Sequence, residues 1–202
     1  NESMNHLCDA ISQAPNLKVL RLDNNSIFDL GAKSLGKAIR TSNITSLSVS
    51  DNQIWKEGLD ILLRSIAEYG KMEELDVSYN ILDLEELMKL LQNSPKLTAL
   101  NISGCKVLER LVGPFLDFIP KTNISMLMIN GLSYNMLPIA WPHVKDEIWQ
   151  DRVLFQKITE AIKRSPALVD VRVGFFECTQ LSRLITFIEE ESHQGQFKKK
   201  LS

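Results

Sequence analysis

The sequence predicts an α/β chain wound as a right-handed solenoid, with parallel strands on the concave face and helices on the convex face. Two observations carry this. A frame of five apolar or Asn slots recurs four times in full and twice in part, and between copies the apolar spacing changes from two to the helical period. Composition agrees. The 202 residues are 44% hydrophobic and 24% charged, with only 9 Gly and 7 Pro. A chain of this size buries roughly 70% of its unfolded surface, and the balance excludes collagen-like, low-complexity and disordered classes.

The frame reads LxxLxLxxNxL. It is filled by Leu17, Leu20, Leu22, Asn25 and Ile27; by Ile44, Leu47, Val49, Asn52 and Ile54; and by Met72, Leu75, Val77, Asn80 and Leu82. A fourth copy, Leu97, Leu100, Ile102, Cys105 and Val107, puts Cys in the Asn slot. The fifth begins Ile124, Leu127 and Ile129 with Leu132 in that slot, and the sixth begins Leu168, Val171 and Val173 with Phe176 there. The first slots are spaced by 27, 28, 25, 27 and 44 residues. Alternate side chains of a strand face opposite ways, so slots four and six point to the core and slot five faces out. A buried Asn25, Asn52 or Asn80 is expected to pair backbone groups where the chain turns after each strand.

Helices are expected between the strands. Leu59, Leu62, Leu63 and Ile66 are spaced i, i+3, i+4, i+7, as are Leu84, Leu87, Met88 and Leu91; Leu108, Leu111, Val112 and Phe115; and Leu181, Leu184, Ile185 and Ile188. Met4, Leu7, Cys8 and Ile11 obey the same spacing ahead of the first frame. The chain thus opens on a helix without a strand of its own, which reads as a piece cut from a longer protein, the alternative being a helical cap.

This pattern resembles the leucine-rich repeat family over about residues 4 to 191. The true helices, the 25 to 28 residue period and the stretch Gly31-Ala32-Lys33-Ser34-Leu35-Gly36-Lys37-Ala38-Ile39 resemble its ribonuclease-inhibitor-like branch. The resemblance implies a non-enzymatic module that covers or sequesters a protein partner, an enzyme being one candidate. A looser resemblance is to the leucine-rich repeat effectors that intracellular bacteria deliver into host cells, which implies the host cytosol. The alternatives are a cytoskeletal or GTPase-regulating repeat protein and the substrate-recognition fragment of a larger enzyme.

The expected organisation is one repeat domain over 1–191 and a tail over 192–202. The 44-residue spacing places an inserted loop at about 132–150, before a helix marked by Leu154, Ile158, Ala161 and Ile162. The loop holds Trp141 and Trp149, two of the three tryptophans. Inserted solenoid loops are often functional, and aromatic anchors suit protein recognition. Equally, these side chains could fold the loop back over the irregular repeats.

Chemical motifs are weak. The Gly31–Ala38 string nearly spells a phosphate-binding loop but has Ala38 where Ser or Thr must bind Mg²⁺, and its glycines fall on a repeat helix. Cys8 and Cys105 read as small buried hydrophobes, and Cys178 occupies a repeat slot. His6, His143 and His193 lack ligand spacing. No enzyme activity, cofactor or metal is expected. The sequons at Asn24, Asn43, Asn101 and Asn123 are read as incidental at strand edges. Three unpaired cysteines favour a reducing, cytoplasmic setting. Residues 1–101 carry 10 basic and 14 acidic side chains and the remainder 13 and 11, so neither half has the field of a nucleic-acid binder. No apolar run nears the roughly 20 residues that span a bilayer, so neither nucleic acid nor membrane is expected as a partner. A monomer is expected.

Function is therefore sought on the outward columns of the sheet. The fifth slots are Arg21, Ser48, Asp76, Asn101, Met128 and Arg172; the third include Glu74 and Met126; the eighth include Asp51, Tyr79 and Phe175. Asp51, Glu73, Glu74 and Asp76 form an expected acidic patch around Tyr79, with Met126 and Met128 as a soft apolar patch beside the loop. The expected partner-binding set is Arg21, Asp51, Glu74, Asp76, Tyr79, Asn101, Met126, Met128, Trp141, Trp149, Arg172 and Phe175. Such a mix of anchors and charged rim fits a protein partner.

Overall fold

In the computed structural model, residues 2–132 and 152–172 are described. A helix, α1 (Glu2–Ser12), precedes five strand and helix pairs: β1 (Val19–Arg21) and α2 (Phe28–Arg40), β2 (Ser46–Ser48) and α3 (Lys56–Tyr69), β3 (Glu74–Asp76) and α4 (Leu84–Asn93), β4 (Ala99–Asn101) and α5 (Glu109–Phe118), β5 (Met126–Met128) and α6 (Arg152–Arg164). The strand β6 (Asp170–Arg172) follows.

The six strands form one parallel sheet in chain order. Their register follows the frame. Fourth slots pair in sequence, Leu20 with Leu47, Leu47 with Leu75, Leu75 with Leu100, Leu100 with Leu127 and Leu127 with Val171, and all six are buried. β6 pairs directly with β5 despite the 44-residue spacing. The ladder continues past each strand. The amides of Asn24, Asp51, Tyr79 and Gly104, all in the eighth slot, donate to the carbonyls of Ser50, Ser78, Ser103 and Asn130 in the next repeat.

Behind the sheet the helices present the apolar faces that their spacing dictates. Leu59, Leu62, Leu63 and Ile66 of α3 are fully buried, and the helix stops at Gly70, whose φ of 66° gives the left-handed cap that glycine adopts without strain. The N-terminus of α4 is capped by Asp83, which accepts from the Glu85 amide at 2.8 Å. Ile11 of α1 is buried, and Met4, Leu7 and Cys8 pack against the same core.

The Asn slot works across repeats. Asn52 Oδ1 accepts from the amides of Asn25 and Ile27, and its Nδ2 donates to the Leu22 and Ser50 carbonyls. Asn80 repeats this one turn on, accepting from the amides of Asn52 and Ile54 and donating to the carbonyls of Val49, Val77 and Ser78. Each Asn therefore satisfies the repeat before it. Asn25 departs from the expected burial for that reason: among the described residues no repeat frame precedes it, and its side chain is exposed, donating only to the Asp23 carbonyl. Cys105 fills the slot with a thiol that donates to the Val77 carbonyl at 3.2 Å. Burial pushes this thiol up to about 12, so it is a packed, unreactive group.

Candidate functional site

The outward face of the sheet is built from slots three and five, and the rim above it from slots seven and eight. Slot seven, which sequence reasoning passed over, proves to be the organiser. It holds Asp23, Ser50, Ser78, Ser103 and Asn130. The Ser78 hydroxyl donates to Asp76 Oδ1 and shares a hydrogen bond of 2.8 Å with the Ser50 hydroxyl, while Ser50 donates its amide, and Ser48 its hydroxyl, to Asp23 Oδ1. The Asn130 amide donates to Ser103 Oγ at 3.1 Å. A run of Ser in three consecutive copies was the available signal.

This ladder changes what the fifth-slot residues can offer. Asp76 is half-buried, and its carboxylate accepts from the Ser78 amide at 2.9 Å and from Asn101 Nδ2 at 2.7 Å. Asn101 in turn accepts from the Ser103 amide. Both side chains hold the turn after their strands, so the acidic patch expected around Tyr79 has its exposed charge on Asp51, Glu73 and Glu74 instead. Glu74 accepts from Ser46 Oγ at 2.8 Å. Arg21 is exposed at one end of the sheet; Arg172, at the other, is exposed but ion-paired with Asp170 at 3.0 Å. Met126 and Met128 are half-buried on β5. Trp141, Trp149 and Phe175 lie outside the described residues, as do His143 and Cys178.

Tyr79 stands out. It is 53% exposed and takes a φ of 57°, a left-handed conformation that bulky residues rarely adopt. Among the described residues the whole eighth slot is left-handed: Asn24, Asp51, Gly104 and Gly131 have φ of 59°, 50°, 64° and 61°. A β-carbon on Gly104 would fall 2.4 Å from the Tyr79 ring. The ring therefore rests against the next repeat at Gly104, where that repeat has no side chain. An exposed aromatic is thus braced against its neighbour.

Other sequence motifs find structural places. The Gly31–Ala38 string lies within α2; a β-carbon on Gly31 would fall 2.6 Å from Ile27 Cγ2, and one on Gly36 2.7 Å from Ser65 Oγ. Gly36 lets α2 sit close to α3, and Gly31 makes room for the Ile27 side chain at the start of its own helix. The sequon amides of Asn43 and Asn123 donate to the Pro15 and Pro95 carbonyls one repeat earlier, at 3.0 and 2.8 Å. Sequence reasoning also missed three apolar side chains left exposed where strands run into helices: Phe28, Leu30 and Trp55. No periodic pattern marks them.

The repeat family described as Leucine Rich repeat matches residues 13–36 and 42–61. A rat (Rattus norvegicus) protein, NACHT, LRR and PYD domains-containing protein 6, is 26% identical over 141 residues, 66% of this chain and 16% of the relative. The chain spans about one sixth of that relative's length. Two solved structures share the fold. A tropomodulin C-terminal domain from Caenorhabditis elegans matches with a TM-score of 0.58 at 17% identity, over 90% of this chain and 98% of its own. Leiomodin-1 Actin-Binding Site 2 matches with a TM-score of 0.58 at 8% identity, over 96% of this chain and 98% of its own. With the six-strand register and the Asn ladder, these matches define the class of fold: the chain is an α/β solenoid of the leucine-rich repeat kind, with two stretches of its sequence matching that repeat. The bacterial-effector resemblance finds no support among these relatives.

Proposed function

We propose that this chain is a non-enzymatic binding module whose strand face and rim, around Tyr79, Met126 and Met128, engage and regulate a protein partner. One observation carries the proposal: an exposed tyrosine held in a left-handed backbone and braced over Gly104. Such pre-ordering lowers the cost of binding, and Tyr is enriched among interface anchors. Asp51, Glu73 and Glu74 supply a charged rim that steers encounter more than it holds the complex. The proposed setting is cytoplasmic, a reading supported by the free thiols of Cys8 and Cys105.

A second reading takes the partner to be cytoskeletal. Its support is the leiomodin-1 domain, named for actin binding, which this fold matches along nearly its whole length.

The test measures affinity for an isolated partner, with actin included as a candidate. Tyr79→Ala and Met128→Ala are expected to weaken binding by about 30-fold or more if they are anchors. Lys163→Ala, on the helix side, is expected to leave it unchanged. Loss in Lys163→Ala with none in the other two moves the site to the helices.

A further inference from the structure

We propose that Tyr79 and Asp51 form a seat for one arginine side chain of the partner, its guanidinium lying on the open face of the tyrosine ring with its fork toward the carboxylate. This rests on the strand-face reading above and adds the chemistry that the face selects. One face of the ring is covered. A β-carbon built on Gly104 would lie 2.4 Å from both Cδ1 and Cε1 of Tyr79 and 3.0 Å from its Cγ. An approach in the ring plane would leave Cγ much farther off than the other two, so Gly104 lies against the face of the ring rather than its edge. With 53% of the residue exposed, the opposite face is left to solvent. Aromatic faces attract cations, Arg more often than Lys.

Asp51 is the neighbour on the other side. Both residues fill the eighth slot, where the Asp51 amide donates to the Ser78 carbonyl at 3.0 Å and the Tyr79 amide to the Ser103 carbonyl at 2.8 Å. They therefore stand about one strand spacing, ~4.8 Å, apart in the ladder, and their matching φ of 50° and 57° make them project from the rim alike. Asp51 is exposed, and among the described residues no Lys or Arg pairs with it. On the helix side, by contrast, Glu57 and Asp83 are paired with Lys33 and Lys56 at 2.8 and 2.7 Å. Asp76, nearer the strand, accepts only from the neutral donors Ser78 and Asn101. The charge beside Tyr79 is thus left for a partner to answer. An ammonium carries the right sign but presents no plane, whereas a guanidinium stacks on the ring and forks toward the carboxylate. Asp51 in this seat holds the partner as well as steering it.

The test selects a display library of random linear peptides on the full chain, then synthesises the enriched peptide with its arginine intact, replaced by lysine, or replaced by citrulline, which keeps the plane and removes the charge. Citrulline and Asp51→Asn should each weaken binding by about 10-fold or more. Combined, they should cost no more than either alone, because both remove the same interaction. Asn tolerates a positive φ, so Asp51→Asn spares the turn. Lysine should bind more weakly than arginine. Tyr79→Phe should keep the affinity and Tyr79→Leu lose it, while Glu160→Gln, which removes an exposed carboxylate from α6, should change nothing and so separates local pairing from net charge. Thermal unfolding of each variant is compared, and if Tyr79→Leu unfolds, the combination of Asp51→Asn with citrulline carries the assignment. A peptide that needs Tyr79 and Met128 but lacks arginine, tolerates citrulline or ignores Asp51→Asn overturns the seat and leaves the strand-face reading standing. A peptide indifferent to both Tyr79→Leu and Met128→Ala overturns that reading and the seat with it, and failure to enrich any peptide overturns the seat.

Discussion

The Asn80 amide and carbonyl together make five hydrogen bonds to backbone groups of two repeats, and the side chain is 3% exposed. Truncation leaves those groups buried without partners, at a cost of about 1–3 kcal/mol for each that water cannot reach. Asn80→Ala is therefore expected to lose at least about 3 kcal/mol in urea denaturation. Asn25→Ala, at the same slot but exposed, should stay within about 0.5 kcal/mol of the parent. Equal losses would show that the slot acts through local turn propensity rather than across repeats. The frame made a turn Asn legible at both positions. It could not say which would be buried, because burial depends on a repeat lying in front of it. Nor could it show that Asp76 is occupied by Ser78 and Asn101 rather than free for a partner, since hydrogen bonds between copies are invisible in a one-dimensional pattern.

Between α3 and α4, Lys56 joins two carboxylates with opposite pH behaviour. Asp60 is 5% exposed, and its Oδ1 has no hydrogen-bond partner. Burial raises its pKa above 3.8, against the pull of Lys56. Burial pushes Asp83 upward as well, but Lys56 and the Glu85 amide outweigh it and hold that carboxyl below 3.8. The lowered Asp83 stabilises the fold above the unfolded value, and this contribution is lost as pH falls through the folded value. The raised Asp60 does the reverse: its contribution is present below the unfolded value and lost as pH rises through the folded one. Asp83→Asn should thus destabilise at about pH 7 by more than Asp60→Asn, and its deficit should shrink on acidification below about pH 4. Urea titrations at both pH values check this; a deficit that grows in acid would contradict the pairing. At this scale the helices themselves were legible, since α3 to α5 bury most of the residues that the helical spacing selects, with Met88 and Leu108 half-buried. The near phosphate-loop string was legible as helix for the same reason. What Gly36 does, letting α2 approach Ser65, required the neighbouring helix to be seen.

Across the whole molecule, the order and register of six strands follow from one recurring frame, because parallel neighbours joined by helices must stack equivalent slots. The candidate surface followed only in part. Met126 and Met128 were placed on the strand face by slot arithmetic alone. The left-handed eighth slot, the Ser column and the exposed trio at the strand-to-helix rim emerge only when copies are laid side by side. The central claim is that the protein partner sits on the strand face and its rim. Oxidative footprinting tests it most directly, because Tyr79, Met126 and Met128 carry oxidisable side chains. With a purified partner, these three are expected to become protected while Met88 of α4 and Phe118 of α5 oxidise as in the free chain. Protection of Met88 and Phe118 with unchanged oxidation at Tyr79, Met126 and Met128 would place the partner on the helices and contradict the account.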